Sequence, residues 1–137
     1  MKKQITIFAL DDDSIYLKVL EQKLKALKNY ELSLFTESVP FLGYLYQCPE
    51  VVILDYHLIE ESSSWNGEAI LKHIIKFNSE IRVIILSSIT DETIANELLE
   101  KGAFKFIYKN ENAFDNLVNT IQKIQHEQYN YNIKTAE

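Results

Sequence analysis

The chain has 137 residues, 47% of them hydrophobic and 25% charged, and its formal net charge is −6. This is the composition of an ordinary globular domain, large enough to bury a core without disulfides or structural metals. An acidic balance without a long basic run argues against direct contact with nucleic acid or an anionic membrane surface. The single cysteine, Cys48, excludes an internal disulfide and a cysteine-based zinc motif. With no predicted signal peptide or membrane span, we expect a cytoplasmic protein.

Short apolar runs alternate with segments of helical period along the chain. Residues 5–10, 51–54 and 81–86 form nearly continuous runs of Ile, Val and Leu, as is typical of parallel strands covered on both faces. Residues 32–36 and 104–108 are weaker strand candidates, because polar residues interrupt them.

Five segments of helical period separate and follow these runs. In the first, Ser14 stands just before the helix as a suitable N-cap, and the apolar face is made of Leu17, Leu20, Leu24 and Leu27. The others are marked by Pro40, by Ile70 to Ile75, by the span from Thr90 or Asp91 to Gly102, and by Phe114 to Ile124. Strict alternation of strands and helices predicts an α/β domain with a doubly wound parallel sheet and right-handed crossovers.

The end of the chain has a different composition. Residues 128–137 are polar and have no apolar period, so we expect a disordered tail there. The single domain is then predicted to occupy residues 1–127.

Polar side chains stand at the predicted carboxyl ends of four strands. They are the triplet Asp11, Asp12 and Asp13 after the first strand, then Asp55, Ser87 and Lys109. Ligands of open parallel sheets bind outside these ends, so we expect the groups to meet at one edge. Asp13 is the member of the triplet that best suits a helix cap. Carboxylates brought this close repel one another unless a cation neutralises them, and hard oxygen ligands at a hydrated site suit Mg²⁺.

This set of groups is suited to phosphoryl transfer. A carboxylate can attack a phosphoryl group and form an acyl phosphate. Positioning and charge neutralisation dominate that reaction, and a divalent metal, a lysine and a hydroxyl around the phosphoryl oxygens supply both. The residues therefore predict a phosphoryl acceptor that binds Mg²⁺.

Over residues 3–125 the chain resembles the receiver domain of bacterial two-component response regulators. The resemblance rests on Asp11-Asp12 after the first strand, Asp55 after VVIL, Ser87 after RVIIL and Lys109 after GAFKFIY. It implies a flavodoxin-like (βα)5 fold, with helices on both faces of a five-stranded sheet in the order 2-1-3-4-5. It also implies a protein that catalyses its own phosphorylation and dephosphorylation and is not otherwise an enzyme.

The resemblance implies a role for each matching residue. Asp55 corresponds to the phosphoacceptor, Lys109 to the lysine that pairs with the phosphate, and Ser87 to the switch hydroxyl. Phe106 corresponds to an aromatic switch residue that turns inward on activation. The resemblance implies that the conformational change caused by phosphorylation appears on the face made by the fourth helix, fifth strand and fifth helix.

The resemblance also implies a set of Mg²⁺ ligands. Asp12 and Asp55 correspond to direct ligands, with the backbone carbonyl of His57, while Asp11 acts through water. The implied phosphoryl donor is a sensor histidine kinase or a histidine phosphotransfer protein, and the output is a downstream protein partner. Neither nucleic acid nor a membrane is an expected direct partner.

Two features depart from the family pattern. Asn110 follows the lysine where the family usually has a proline joined by a cis bond. A cis bond to a non-proline residue costs roughly 2.5–4 kcal/mol, so we expect a trans bond. The loop at 56–66 is longer than the usual form by a few residues and lacks its proline.

Two other functions remain open. One is a degenerate receiver that serves as a constitutive protein-binding module, favoured by Asn110 and the altered loop. The other is a flavodoxin-like cofactor protein, which would need a Ser-, Thr- or Gly-rich loop after the first strand to bind a phosphate. The acidic triplet argues against it.

Overall fold

The computed structural model describes residues 4–58 and 65–136. The strands are β1 (Ile5–Leu10), β2 (Tyr30–Phe35), β3 (Val51–Asp55), β4 (Arg82–Ser87) and β5 (Lys105–Tyr108). The helices are α1 (Ser14–Leu24), α2 (Ser38–Tyr44), α3 (Gly67–Phe77), α4 (Glu92–Glu100) and α5 (Ala113–Ala136), and a short 3-10 turn follows α2. Residues 59–64, which make up most of the long loop singled out in the sequence, lie outside the described residues.

The five strands form one parallel sheet in the order β2-β1-β3-β4-β5. This confirms the predicted doubly wound sheet and its strand order. The central strands β1, β3 and β4 are buried along almost their whole length. Their continuous apolar runs follow from this position, because side chains on both faces of the sheet meet a layer of helices.

Two hydrophobic layers cover the faces of the sheet. On one face α1 and α5 pack through residues such as Leu20, Leu117 and Ile121. On the other face α2, α3 and α4 pack through Phe41, Leu71 and Leu98, among others. With both faces occupied, only the ends of the strands are left for polar chemistry.

The helix caps refine the prediction made from the sequence. Asp13, not Ser14, is the N-cap of α1, and its carboxylate accepts hydrogen bonds from the amides of Ile15 and Tyr16 at 3.0 and 3.1 Å. Both residues were candidates from the sequence: Ser14 was wrong and Asp13 is confirmed, because a carboxylate accepts both amides at once and also interacts favourably with the helix dipole. At α4 the predicted cap Asp91 is confirmed.

The end of the chain also differs from the expectation. Residues 128–136 continue α5, which has 24 residues, where the sequence indicated a disordered tail. A helix that is already nucleated adds each further residue at little cost, so the segment does not need an apolar face of its own to stay helical. None of the described helices is both long and apolar enough to cross a membrane.

A close backbone approach fixes the chain just after β3. Gly67 begins α3, and a Cβ atom added to it would lie 2.5 Å from the carbonyl oxygen of Tyr56. Only glycine fits this contact. It holds the start of α3 against the residue that follows Asp55.

Candidate functional site

The register of the sheet brings the predicted polar residues to one edge. Leu10 is paired with Leu54, so Asp11 and Asp55 follow side by side at the carboxyl ends of β1 and β3. Ser87 ends β4 and is paired with Tyr108, directly before Lys109. Four strands thus deliver their terminal polar groups to the same end of the sheet, as the sequence predicted.

Three carboxylates converge there. Oxygen atoms of Asp11, Asp12 and Asp55 lie within 4.8 Å of one another. Asp11 and Asp55 are only 4% and 6% exposed, whereas Asp12 is exposed. The first two charges are therefore held in a poorly hydrated place, whereas the carboxylate of Asp12 is open to solvent.

Lys109 brings an ammonium to the same cluster. Its Nζ lies 3.1 Å from Oδ2 of Asp11 and 3.4 Å from Oδ1 of Asp55. Burial lowers the pKa of this ammonium, but the charges of Asp55 and Asp11 more than offset that and raise it above 10.5. Lys109 is thus held in its charged form at neutral pH.

The backbone around Lys109 accommodates Asn110 without a cis bond. No described peptide bond is cis, as expected from the sequence. The amide of Lys109 donates to the carbonyl of Ser87 at 2.7 Å, and the amide of Asn110 donates to the carbonyl of Tyr108 at 2.9 Å. A proline at this position could not make the second bond. The departure from the family pattern therefore still leaves Lys109 within reach of both buried carboxylates.

Ser87 and His57 lie around the rim of the cluster. Ser87 is fully buried, and its hydroxyl oxygen accepts a hydrogen bond from the amide of Ile89 at 3.0 Å. The amide of His57 donates to Oδ1 of Asp55 at 3.3 Å, which folds the chain back over this carboxylate, while the His57 side chain is exposed. Phe106 does not join the cluster: it packs against the hydrophobic layer of α2, α3 and α4.

The sequence reasoning did not single out Tyr16. Its ring lies in the first turn of α1, with the Nζ of Lys109 4.2 Å from the ring centre. An aromatic residue one helical turn beyond the acidic triplet was the available signal. This signal is weak, because an aromatic residue in an amphipathic helix is usually part of the core.

The donor set fits a divalent cation. Asp11, Asp12 and Asp55 offer carboxylate oxygens only, and the lysine offsets just one of their charges. The exposed position of Asp12 gives a hydrated cation access, which suits Mg²⁺ because this ion keeps several waters and uses few carboxylates.

The buried carboxylates make stability depend on pH. Burial raises the pKa of Asp11 above its usual 3.8; the amide of Asp13 and the charge of Lys109 oppose this, and the charge of Asp55 adds to it. A group whose pKa is raised by folding stabilises the protein below its unfolded pKa. That contribution is lost as pH rises through the folded pKa.

Replacing Asp11 by Asn removes the fall in stability that the ionising carboxylate causes as pH rises. In metal-free buffer, the free energy of unfolding of Asp11→Asn relative to wild type is expected to grow as pH rises above 3.8 towards neutrality. The gain should be small below this pH and largest near neutrality, because the unfolded chain gains more than the folded one from ionising this carboxylate. Urea unfolding at a series of pH values, with a chelator present, measures it.

Asp13→Asn is the matched control, because it removes a neighbouring charge while Asn caps a helix as well as Asp does. Parallel pH profiles for wild type and Asp11→Asn would contradict the buried, repelled carboxylate.

Comparison with known proteins agrees with this geometry. Residues 7–122 match the response regulator receiver domain family. No curated relative matches the chain. The BeF3-activated receiver domain of DrrB is 25% identical, with a TM-score of 0.75 over 88% of this chain and 96% of that one.

Two further solved structures share the fold. A CheY-like receiver domain protein from Methanospirillum hungatei JF-1 is 20% identical, with a TM-score of 0.78 over 94% of this chain and 99% of that one. The response regulator DrrB, an OmpR/PhoB homolog from Thermotoga maritima, is 23% identical, with a TM-score of 0.77 over 91% of this chain. The chain spans 54% of that regulator's length. The family match covers most of the sequence, so this chain belongs to the response regulator receiver domains of two-component signalling.

Proposed function

We propose that the chain is a phosphorylation-dependent switch that takes a phosphoryl group onto Asp55 in the presence of Mg²⁺. The observation that carries this proposal is the position of Lys109, whose ammonium contacts both Asp11 and Asp55 within a cluster of three carboxylates. A purely structural ion pair would need one carboxylate. The surplus of negative charge at a partly open edge suits a cation, which would in turn offset the charge of an incoming phosphoryl group.

In the proposed reaction a carboxylate oxygen of Asp55 attacks the phosphorus of a phosphohistidine. A P–O bond forms, the P–N bond breaks, and the imidazole leaves with the electron pair and takes up a proton. Lys109 offsets charge on the phosphoryl oxygens, since its Nζ is already 3.4 Å from the accepting carboxylate. The amide of His57, which donates to the same carboxylate, orients it for attack.

Asp12 and Asp55 would hold the Mg²⁺ directly, with Asp11 beside them and the backbone carbonyl of His57 as a further ligand. Bound there, the ion supplies neutralisation of the carboxylates and of the phosphoryl oxygens. The support for this assignment is the all-oxygen donor set and the contrast between buried Asp11 and exposed Asp12.

Ser87 is the proposed link between phosphorylation and output. Its hydroxyl oxygen holds the amide of Ile89 in the connection between β4 and α4, and the same hydroxyl can donate its proton to a phosphoryl oxygen. A change in this hydroxyl therefore acts on α4, and Phe106 on the neighbouring strand is proposed to respond. The α4-β5-α5 face is the proposed partner surface. Exposed apolar side chains on α4 and just before β5, Leu99 and Phe104, support it.

The proposed phosphoryl donor is a sensor histidine kinase or a histidine phosphotransfer protein. A protein donor needs a surface to dock on beside Asp55. Ile15 and Val19, one helical turn apart on α1, are both exposed and lie just beyond the acidic triplet. They provide apolar contact area at the edge where the transfer would occur.

Intact mass after incubation with acetyl phosphate tests the central step. Wild type should gain one phosphoryl group in Mg²⁺ and none in excess chelator. Asp55→Asn should gain none under either condition. Asp13→Asn, which alters the neighbouring cap and leaves the acceptor in place, should be modified like wild type.

Modification of Asp55→Asn to the same extent as wild type would contradict the assignment. A wild type that neither gains mass nor binds Mg²⁺ would instead favour the degenerate receiver, acting as a constitutive protein-binding module.

The role of Ser87 generates a separate prediction. Phosphorylation of wild type should change amide hydrogen exchange in α4 and β5, and Ser87→Ala should lose most of that change while Asp55 is still modified. Ser88→Ala is the matched control, because Ser88 is the exposed neighbour of the buried hydroxyl. Equal exchange changes in Ser87→Ala and wild type would rule Ser87 out as the link.

A further inference from the structure

The ammonium of Lys109 contacts an aromatic ring as well as the two buried carboxylates. Two of its contacts are ionic, with Asp11 and Asp55. The third is the face of the Tyr16 ring, whose centre lies 4.2 Å from Nζ. A cation over an aromatic face is attracted by the ring's quadrupole, and this attraction is strongest where water is partly excluded.

The Tyr16 ring is itself well fixed. Tyr16 lies in the first turn of α1, and its backbone amide donates a hydrogen bond to the capping carboxylate of Asp13. The half-buried ring packs at 5.4 Å from the ring of Phe114, with an angle of 30° between their planes. Phe114 lies at the start of α5, just beyond the connection that begins at Lys109. The ring of Tyr16 therefore bridges the two ends of the β5–α5 connection.

We propose that Tyr16 is a positioning residue that holds the Lys109 ammonium at the phosphoryl site through its ring. The inference rests on the proposed function of Asp55 as phosphoacceptor. The two ionic contacts of Lys109 must weaken when a cation and a phosphoryl group engage Asp11 and Asp55. The ring contact is uncharged and does not depend on either carboxylate, so it persists through that change.

The residue that follows Lys109 explains why a contact with the Tyr16 ring is useful for positioning the ammonium. Lys109 is followed by Asn110, which has more backbone freedom than the proline usual in the family. Hydrogen bonds hold the backbone of this connection, but they do not fix the four-carbon side chain of the lysine. Tyr16, packed on Phe114, supplies a rigid surface against which that side chain lies.

A double-mutant cycle on the full chain tests the proposal, with the rate of phosphorylation by acetyl phosphate in Mg²⁺ as the readout. Tyr16→Leu, which keeps apolar bulk and removes the ring, should slow the rate about fivefold. Tyr16→Phe keeps the ring and should stay within about twofold of wild type. In a Lys109→Gln background, Tyr16→Leu should have no further effect, because the group that the ring positions is gone.

Equal slowing by Tyr16→Leu in both backgrounds would show that the ring acts on packing alone and would overturn the proposal. Unchanged rates for Tyr16→Leu with Lys109 present would overturn it as well. Circular dichroism of each variant establishes that it is folded before its rate is compared.

A second measurement separates this proposal from the proposed function. The ring current of Tyr16 should shift the terminal methylene protons of Lys109 upfield in the NMR spectrum. That shift should be retained in Tyr16→Phe and lost in Tyr16→Leu. If wild type takes no phosphoryl group but shows the shift, the ring holds Lys109 and the phosphoacceptor assignment is what fails. An absent shift in wild type sinks the positioning role whatever the phosphorylation result.

Discussion

The repulsion between two buried carboxylates is the constraint around which this protein is organised. Asp11 and Asp55 end adjacent strands, are almost inaccessible to water, and share one ammonium, that of Lys109. In a poorly hydrated place such charges interact far more strongly than at a surface. The folded chain therefore holds excess negative charge at one edge. That charge costs stability, and it is the feature on which the proposed binding of a cation rests.

The parallel sheet imposes this arrangement, and the hydrophobic layers maintain it. The register between β1 and β3 places Asp11 beside Asp55. Because their backbones are fixed on adjacent strands, rotating the side chains cannot move the two residues far apart. The energy that holds them there comes from burying apolar residues on both faces of the sheet, at roughly 25 cal/mol per Å². The close carboxylates lower stability at this edge, and the well-packed core offsets the loss. Such departures from the usual rule against burying unpaired charge are expected at functional sites.

The strands and the meeting of Asp11, Asp55, Ser87 and Lys109 could be predicted because they follow from periodicity and from the geometry of parallel sheets. The strand order was implied by the resemblance to receiver domains. Three details could not be predicted in the same way: the residue that caps α1, the end of α5, and the contact of Tyr16. Asp13 and Ser14 are both suitable caps in the sequence, and only the structure shows that the carboxylate of Asp13 serves the two amides. The helical end of α5 depends on propagation rather than on an apolar pattern. The contact of Tyr16 with Lys109 joins residues 93 positions apart (109 − 16), and the position of Tyr16 one turn beyond the acidic triplet does not by itself say which residue its ring meets.

A crystal structure of the protein with Mg²⁺ and beryllofluoride, a phosphoryl mimic, tests the central claim most directly. The account predicts beryllium on a carboxylate oxygen of Asp55, Mg²⁺ against Asp12 and Asp55, Lys109 on one fluorine and Ser87 on another. Beryllofluoride absent from Asp55, with Mg²⁺ absent from the three carboxylates at saturating concentration, would contradict it. The acidic edge would then be an electrostatic feature of a protein-binding module.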